Sequence, residues 1–405
     1  MIYLIVLILI LAGIFMYDYR HMQRGRLLYW IILLVFFICV AGFRYRMGMD
    51  SIMYENYFNW GQHPITQLNA SDFQKSRFAP LFIILAGLAK SISDDFMVLQ
   101  FIVSIIVNCT IFYFLYKNTK HIFFALLLYY VNLYLNLNME VLREALAVSV
   151  FLLAWPFFRD GKWWAYYGMC FVAILCHISA FVLFFLPLCC LPGVNWFFKV
   201  GTRTWIICLV LLVAAFAVNQ IFFQLIQKIA FTENMMERAQ VYSKTDLGGN
   251  TLNILGILSH LIKFFIYPFP CLFLLHSIKK KKGDDLPVSF QRLETMSLMG
   301  IYVGMLTVAI AIFSRYNNYF LFFVFVVMAD CYLSNIKINN KKIKLGFLGW
   351  TLLFIPYFGT VIYTGLFNKI NKDGTLKNYM MYFPYTDAFN KDLDINRERL
   401  IKYKR

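Results

Sequence analysis

Along this chain apolar residues come in long, nearly unbroken runs, and polar residues are confined to the short stretches between them. A helix that crosses the hydrocarbon of a bilayer needs about 20 such residues, fewer when it sits inside a bundle. The runs predict helical segments at 2–17, 27–43, 78–92, 96–116, 121–137, 144–158, 163–176, 178–191, 204–222, 254–276, 294–313, 317–335 and 345–366. Several are shorter than a full span. The pattern describes an all-α, polytopic integral membrane protein with about 12–13 hydrophobic helices. A continuous transmembrane domain covers 1–366, and a polar tail covers 367–405. No internal repeat and no stretch resembling a soluble domain interrupts it. Residues 2–17 lack a basic flank before them and a small-residue cleavage site after them, so they read as a first span.

The polar linkers orient the chain. Those at 18–26, 159–162, 279–282 and 337–344 are basic, which places them in the cytoplasm. Counting crossings, 44–77, 138–143, 231–253 and 367–405 then fall outside, as does His177 between two short helices. One conflict remains. With 44–77 and 138–143 both outside, the three segments between them give an odd number of crossings. The short segment 78–92, flanked by Arg77 and by Asp94–Asp95, is the one expected to be re-entrant. Irregular backbone at membrane depth is tolerated only where protein or a wet cavity surrounds it, so a cavity is expected beside it. Within 231–253, Thr232 to Gln240 suits a short interfacial helix.

Composition agrees with this picture. Of 405 residues, 61% are hydrophobic and only 15% are charged; a soluble domain carries about 25% charged residues. The net charge of +17 is gathered in short loops, so membrane orientation and anionic lipid headgroups account for it and no nucleic acid is called for. The nine cysteines lie inside or at the edges of apolar runs and suggest no disulfide framework. The chain has no phosphate-cradling glycine loop, no His-Glu-x-x-His helix and no Gly-x-Ser-x-Gly elbow. An ATP-driven pump is therefore unsupported, and no cofactor or metal is expected.

What remains is a small set of polar residues at expected membrane boundaries. Residues 42–54 follow an apolar run directly and carry Arg44, Arg46, Gly48, Asp50 and Tyr54. Two guanidiniums there offer planar donor forks suited to a phosphate or diphosphate, and Asp50 is the nearest carboxylate. The plainer reading is a basic flank with aromatic anchors. Arg143 opens a helix between Glu140 and Glu144, where either a local ion pair or a third arginine of an outer cavity is consistent with the pattern. His177 stands alone in a long apolar stretch, as a structural group or as a general base. Arg315 and Tyr316 lie in a short loop that the orientation places outside, where a lone arginine is informative or merely snorkels.

Taken in order, these motifs resemble the EpsG family of Wzy-type polysaccharide polymerases. The resemblance rests on Phe43-Arg44-Tyr45-Arg46 with Gly48, Asp50 and Tyr54; on Arg143 with Ala145 and Ala147; on His177-Ile178-Ser179-Ala180; on Arg315-Tyr316 with Tyr319-Phe320; and on Pro384-Tyr385. Glu144 departs from it, since a Gln is expected beside the arginine.

The resemblance implies a GT-C-like multi-helix glycosyltransferase with some short or re-entrant helices. It would join undecaprenyl-diphosphate-linked repeat units into surface polysaccharide (O-antigen, capsule or exopolysaccharide) at the outer face of the bacterial cytoplasmic membrane. The lipid-linked oligosaccharide is then both donor and acceptor, and a chain-length regulator and a flippase are the expected neighbours. Arg44, Arg46, Arg143 and Arg315 would hold the diphosphate, and Arg143 would also act in catalysis. Asp50 or His177 would activate the acceptor hydroxyl; Tyr54, Tyr316 and Tyr385 would contact sugar. An O-antigen ligase, another polyprenyl-phosphate-dependent transferase, or a lipid-linked oligosaccharide flippase are the competing readings.

Overall fold

The structure, a computed structural model, describes residues 2–48, 50–229, 257–258, 261–280, 286–308, 313–335, 382–383, 385–389 and 391, without the side chains at 75, 218–229 and 333–335. The expected segment 345–366, the basic linker 337–344, the loop 231–253 with its interfacial helix, and most of the tail lie outside the described residues. The fold is all-α, with no strand among the described residues. Candidate spans are Ile2–Tyr19, Phe96–Asn118 and Ile262–Lys280, and shorter apolar helices include Arg26–Gly42, Pro80–Ile92, Ile122–Tyr134, Trp163–Cys176 and Ile178–Cys190. The chain divides into two compact units: residues 1–184 with 338–405, and residues 185–337.

The first unit holds α1 (Ile2–Gly13), which runs on as π-helix to Tyr19, then α2 (Arg26–Gly42), α3 (Ser51–Asn56), α4 (Ala70–Lys75), α5 (Pro80–Ile92) and α6 (Phe96–Asn118). It continues with α7 (Ile122–Tyr129), extended by π-turns to Glu140, then α8 (Leu142–Asp160) and α9 (Trp163–Cys176). Asp95 caps α6 by accepting from Met97 N–H at 2.9 Å, and Asn69 with Asp72 closes a capping box on α4. Apolar faces alone do not specify how helices pair in lipid, and polar cross-bonds help to fix partners. Ser104 Oγ donates to Ile38 O (2.9 Å), Asn108 Nδ2 to Asn138 Oδ1 (2.7 Å), and Tyr134 OH to Phe37 O (3.0 Å), tying α2, α6 and the end of α7 together.

These contacts also give the unit two distinct ends. At one end Asp18 accepts from Phe124 N–H, Arg26 donates to Lys120 O, and Trp155 donates to Asn118. At the other, Tyr3 meets Met139, Gln100 meets Arg44, and Arg143 meets Tyr54. So α6 and the α7 segment each run from end to end. Helix α5 does not. It starts where Phe78 and Phe82 pack on Tyr54 (5.9 and 5.6 Å), and it leads into Asp94 and Asp95, which share a cavity with Arg44. Its 13 residues extend only about 20 Å, less than the roughly 30 Å of a hydrocarbon core. The loop before it folds onto its flank: Ile65 N–H donates to Ser91 Oγ at 3.0 Å.

The second unit contains α10 (Thr202–Ile229), α11 (Pro268–Lys280), α12 (Val288–Leu306) and α13 (Ser314–Asn335). Helix α12 packs against α13 and α10, and α11 packs against α13. Helix α13 is buried almost all round between Tyr319 and Ala329, as its apolar sequence requires. All nine cysteines are free thiols.

Candidate functional site

Helix α2 ends at Gly42, and the chain then forms a short extended stretch that the tail joins. Tyr45 N–H donates to Thr386 O (2.9 Å), Ala388 N–H donates to Phe43 O (2.8 Å), and Thr386 Oγ1 returns a bond to Tyr45 O (2.8 Å). Gln100 Nε2 donates to Arg44 O at 3.0 Å from the other side. With its backbone held this way, Arg44 turns inward and is only 1% exposed. Its Nη1 donates to Ala41 O, while its buried Nε has no partner. It has no salt bridge among the described residues; its electrostatic neighbours are the phenols of Tyr3, Tyr134, Tyr382 and Tyr385. Burial lowers its pKa to about 10, so it stays cationic at neutral pH.

Arg46 is different. Its Nε and Nη2 grip Glu55 at 2.7 and 3.2 Å, a two-point pair on α3. Its backbone sits in the left-handed region at φ 45°, a strain of about 1 kcal/mol for a non-glycine residue. Gly48 follows at φ 87°, and a Cβ there would run into the Met139 carbonyl. Only glycine lets this turn lie against the end of α7. Ser51 Oγ donates back to Gly48 O at 2.7 Å. Asp50 precedes α3, and its charge acts on Tyr54 and Tyr382.

Arg44 and Arg46 share a cavity of about 270 Å³ with Ser51, Glu55, Asp94, Asp95, Gln100 and Lys391. Its acids have partners: Glu55 holds Arg46, Lys391 lies 3.9 Å from Asp95, and Lys90 lies 3.0 Å from Asp94. Arg44 is the cation there without an acid opposite it among the described residues.

Arg143 stands half-buried in the first turn of α8. It forms no salt bridge among the described residues. Instead its Nε donates to Tyr54 OH at 3.2 Å, and its guanidinium lies 4.6 Å from the Phe78 ring and 5.7 Å from the Tyr54 ring. Tyr54 is 2% exposed. Burial raises its pKa and Arg143 opposes that rise, so it remains a neutral phenol that positions the guanidinium. Tyr382 of the tail donates to Glu140 and accepts from Tyr3 OH at its backbone carbonyl (2.8 Å). Tyr385 OH donates to Val40 O at 3.0 Å. Tyr382 thus links the surroundings of Arg44 to those of Asp50 and Glu140.

His177 terminates α9, which runs back along α8 and packs on α5. Its Nδ1 lies 2.6 Å from Ser179 Oγ and accepts from Ser179 N–H at 3.3 Å. An accepting Nδ1 leaves the proton of the neutral ring on Nε2. Arg315 and Tyr316 belong to the second unit. Arg315 is exposed in the first turn of α13, and the Tyr316 ring lies 6.0 Å from Phe313. No group of three or more His, Cys, Asp or Glu residues placed to hold a metal occurs among the described residues.

A family model, the EpsG family, matches residues 27–386, most of the chain and a range that contains the motifs above. The chain belongs to the EpsG family. EpsG is a family of Wzy-type polymerases, so this is a membrane protein with a polysaccharide-polymerase type of role. No curated protein and no solved structure matches it.

In this EpsG chain the structure brings together Arg44, Arg46, Asp50, Tyr54, Arg143 and Tyr385 at one end of one unit. Sequence reasoning passed over Glu55, Gln100, Tyr3 and Tyr382 as site residues. Glu55 could have been suspected, since it is the first acid after Asp50 and falls on α3. Tyr3 and Tyr382 are separated by hundreds of residues and carried no local signal.

Proposed function

We propose that this EpsG protein polymerises undecaprenyl-diphosphate-linked oligosaccharide units at the outer face of the cytoplasmic membrane. The observation that carries the reading is Arg44: a buried guanidinium, with an unpartnered Nε and no acid opposite it among the described residues, beside a cavity at the end of the helical unit. A buried cation in such a place is stabilised by an anion, and a diphosphate supplies one in fork-compatible geometry.

In this mechanism the acceptor hydroxyl attacks the anomeric carbon of the growing chain, and the bond from that carbon to the diphosphate oxygen breaks. Negative charge develops on the leaving diphosphate. Arg44 and Arg143 stabilise it, the second held in place by Tyr54 and Phe78. Asp50 takes the proton from the acceptor hydroxyl. His177 is assigned to a phosphate oxygen on the family resemblance, with the proton on Nε2 available to donate. Arg46 is occupied by Glu55 and shapes the cavity wall. Arg315 is assigned to the diphosphate as well, on the family resemblance alone.

The test is a gene deletion complemented with variants, read on a gel of surface polysaccharide. The deletion and Arg44→Gln should each reduce the ladder to a single repeat unit. A ladder of normal length that stays on its diphosphate carrier lipid would instead indicate a ligase, and loss of even the single unit from the outer face would indicate a flippase.

A further inference from the structure

The second unit contains a cavity that the polymerase reading does not use. It measures about 330 Å³ and lies where the segment before α10 meets the end of α11 and the start of α12. Lys199, Arg203 and Lys280 line it, with Gln291 and the hydrogen-bonded pair His276–Glu294 (2.7 Å). None of the three cations has a salt bridge among the described residues, whereas the basic residues of the Arg44 cavity are mostly matched by acids. Arg203 stacks on Trp196 at 4.5 Å, and its buried Nε has no hydrogen-bond partner. The single acid, Glu294, is already engaged by His276. Three cations against one carboxylate leave a net positive pocket with free donors.

Position narrows the ligand. Helix α11 closes a candidate span, Ile262–Lys280, and Lys280 lies at its basic end, in the run of four lysines 279–282. The cavity therefore lies where a span meets the headgroup layer. On the positive-inside orientation both contributing linkers, 192–203 and the one after Lys280, fall on the cytoplasmic side, where anionic lipids concentrate. A tryptophan beside the arginine fits the same depth.

We propose that this cavity is a phosphate-binding site that holds the headgroup phosphodiester of an anionic membrane lipid. Arg203 and the two lysines donate to the phosphate oxygens; Gln291, whose Nε2 already donates to Leu286 O at 2.7 Å, lines the wall and keeps one N–H to spare. The acyl chains extend along the apolar surface of the unit. The site does not depend on the polymerase reading.

The test uses full-length protein purified in detergent, with lipid retention read by native mass spectrometry. Wild type should retain phosphatidylglycerol about tenfold better than phosphatidylcholine, the scale of a charge-assisted contact. The triple variant Lys199→Gln, Arg203→Gln, Lys280→Gln should lose that preference. Leu286→Trp fills the cavity and leaves every cation in place, so it should lose the preference too, and it decides the matter if the triple variant does not purify as a folded species. A parallel thermal-shift titration with inorganic phosphate separates the sources. Preference for phosphatidylglycerol with no response to phosphate supports the lipid site. A variant-sensitive response to phosphate alone assigns a soluble phosphate ester and overturns the lipid assignment. Equal retention by wild type and both variants overturns the site.

Discussion

Replacing Arg143 by lysine keeps its charge and removes what the structure says the residue needs. The guanidinium donates through Nε to Tyr54 at 3.2 Å while lying on the Phe78 ring at 4.6 Å. An ammonium has no planar face and cannot do both while also reaching a phosphate. Losing one preorganised charge-assisted donor from a transition-state site costs on the order of 10²–10³ in rate, or about 2.7–4 kcal/mol. Tyr54→Phe removes only the acceptor hydroxyl. It leaves one half-buried donor unsatisfied, at about 1–2 kcal/mol, a five- to thirty-fold loss. Because Tyr54 acts through Arg143, the double variant should be no worse than Arg143→Lys alone, with a coupling of about 1–2 kcal/mol. The assay is polymerisation of lipid-linked repeat units by purified protein, with polymer length and initial rate measured against equal amounts of folded enzyme. Strict additivity would refute the positioning role of Tyr54. Full-length polymer at normal rate from Arg143→Lys would refute the arginine's role in the site.

Other expectations follow from the same geometry. Gly48→Ala forces a left-handed alanine against the Met139 carbonyl; strain and clash together should cost about 2 kcal/mol or more, visible as a lowered melting temperature. Arg44→Gln should abolish polymer, whereas Glu55→Gln, which frees Arg46 from a partly exposed pair, should leave activity within about tenfold; equal losses would contradict the different roles assigned to the two arginines. Trp60 is 87% exposed and Arg24 is exposed at the opposite end of the unit, so Trp60→Cys should label with an impermeant maleimide on intact spheroplasts and Arg24→Cys only after permeabilisation. The reverse pattern would move the site to the cytoplasmic face. Polymerisation should persist in EDTA, since the proposed charge stabilisation comes from guanidiniums; loss restored by one divalent ion would contradict it.

Much of the fold was legible in the hydrophobic pattern because, in lipid, a backbone must satisfy its own hydrogen bonds, so a long apolar run is a helix whatever surrounds it. Trp163–Cys176 coincides with its predicted run, and Ile178–Cys190 ends one residue early. The latter winds as a 3₁₀ helix, a choice between helix types that hydropathy does not encode. The run 121–137 likewise continues through π-turns to Glu140, which brings Met139 beneath Gly48. Charge bias in short loops, a local property, separated the linker at 18–26 from the stretch at 44–77, and the two lie at opposite ends of the first unit.

The site was legible only as a set of residue types. Sequence presents Arg44, Arg46 and Arg143 as three equivalent arginines in polar boundaries. The tertiary structure makes them unlike: one buried among phenols, one neutralised by Glu55, one stacked on Phe78 and bonded to Tyr54. An arginine's electrostatic role depends on what is within a few ångströms of it, and those neighbours come from α1, α3, the loop before α5, the end of α7 and a tail more than 300 residues away. Sequence supplied the helices, the polarity of their ends and the ionisable groups that gather there. Packing decided which arginine is left with charge to spare, because that follows from which acids reach it.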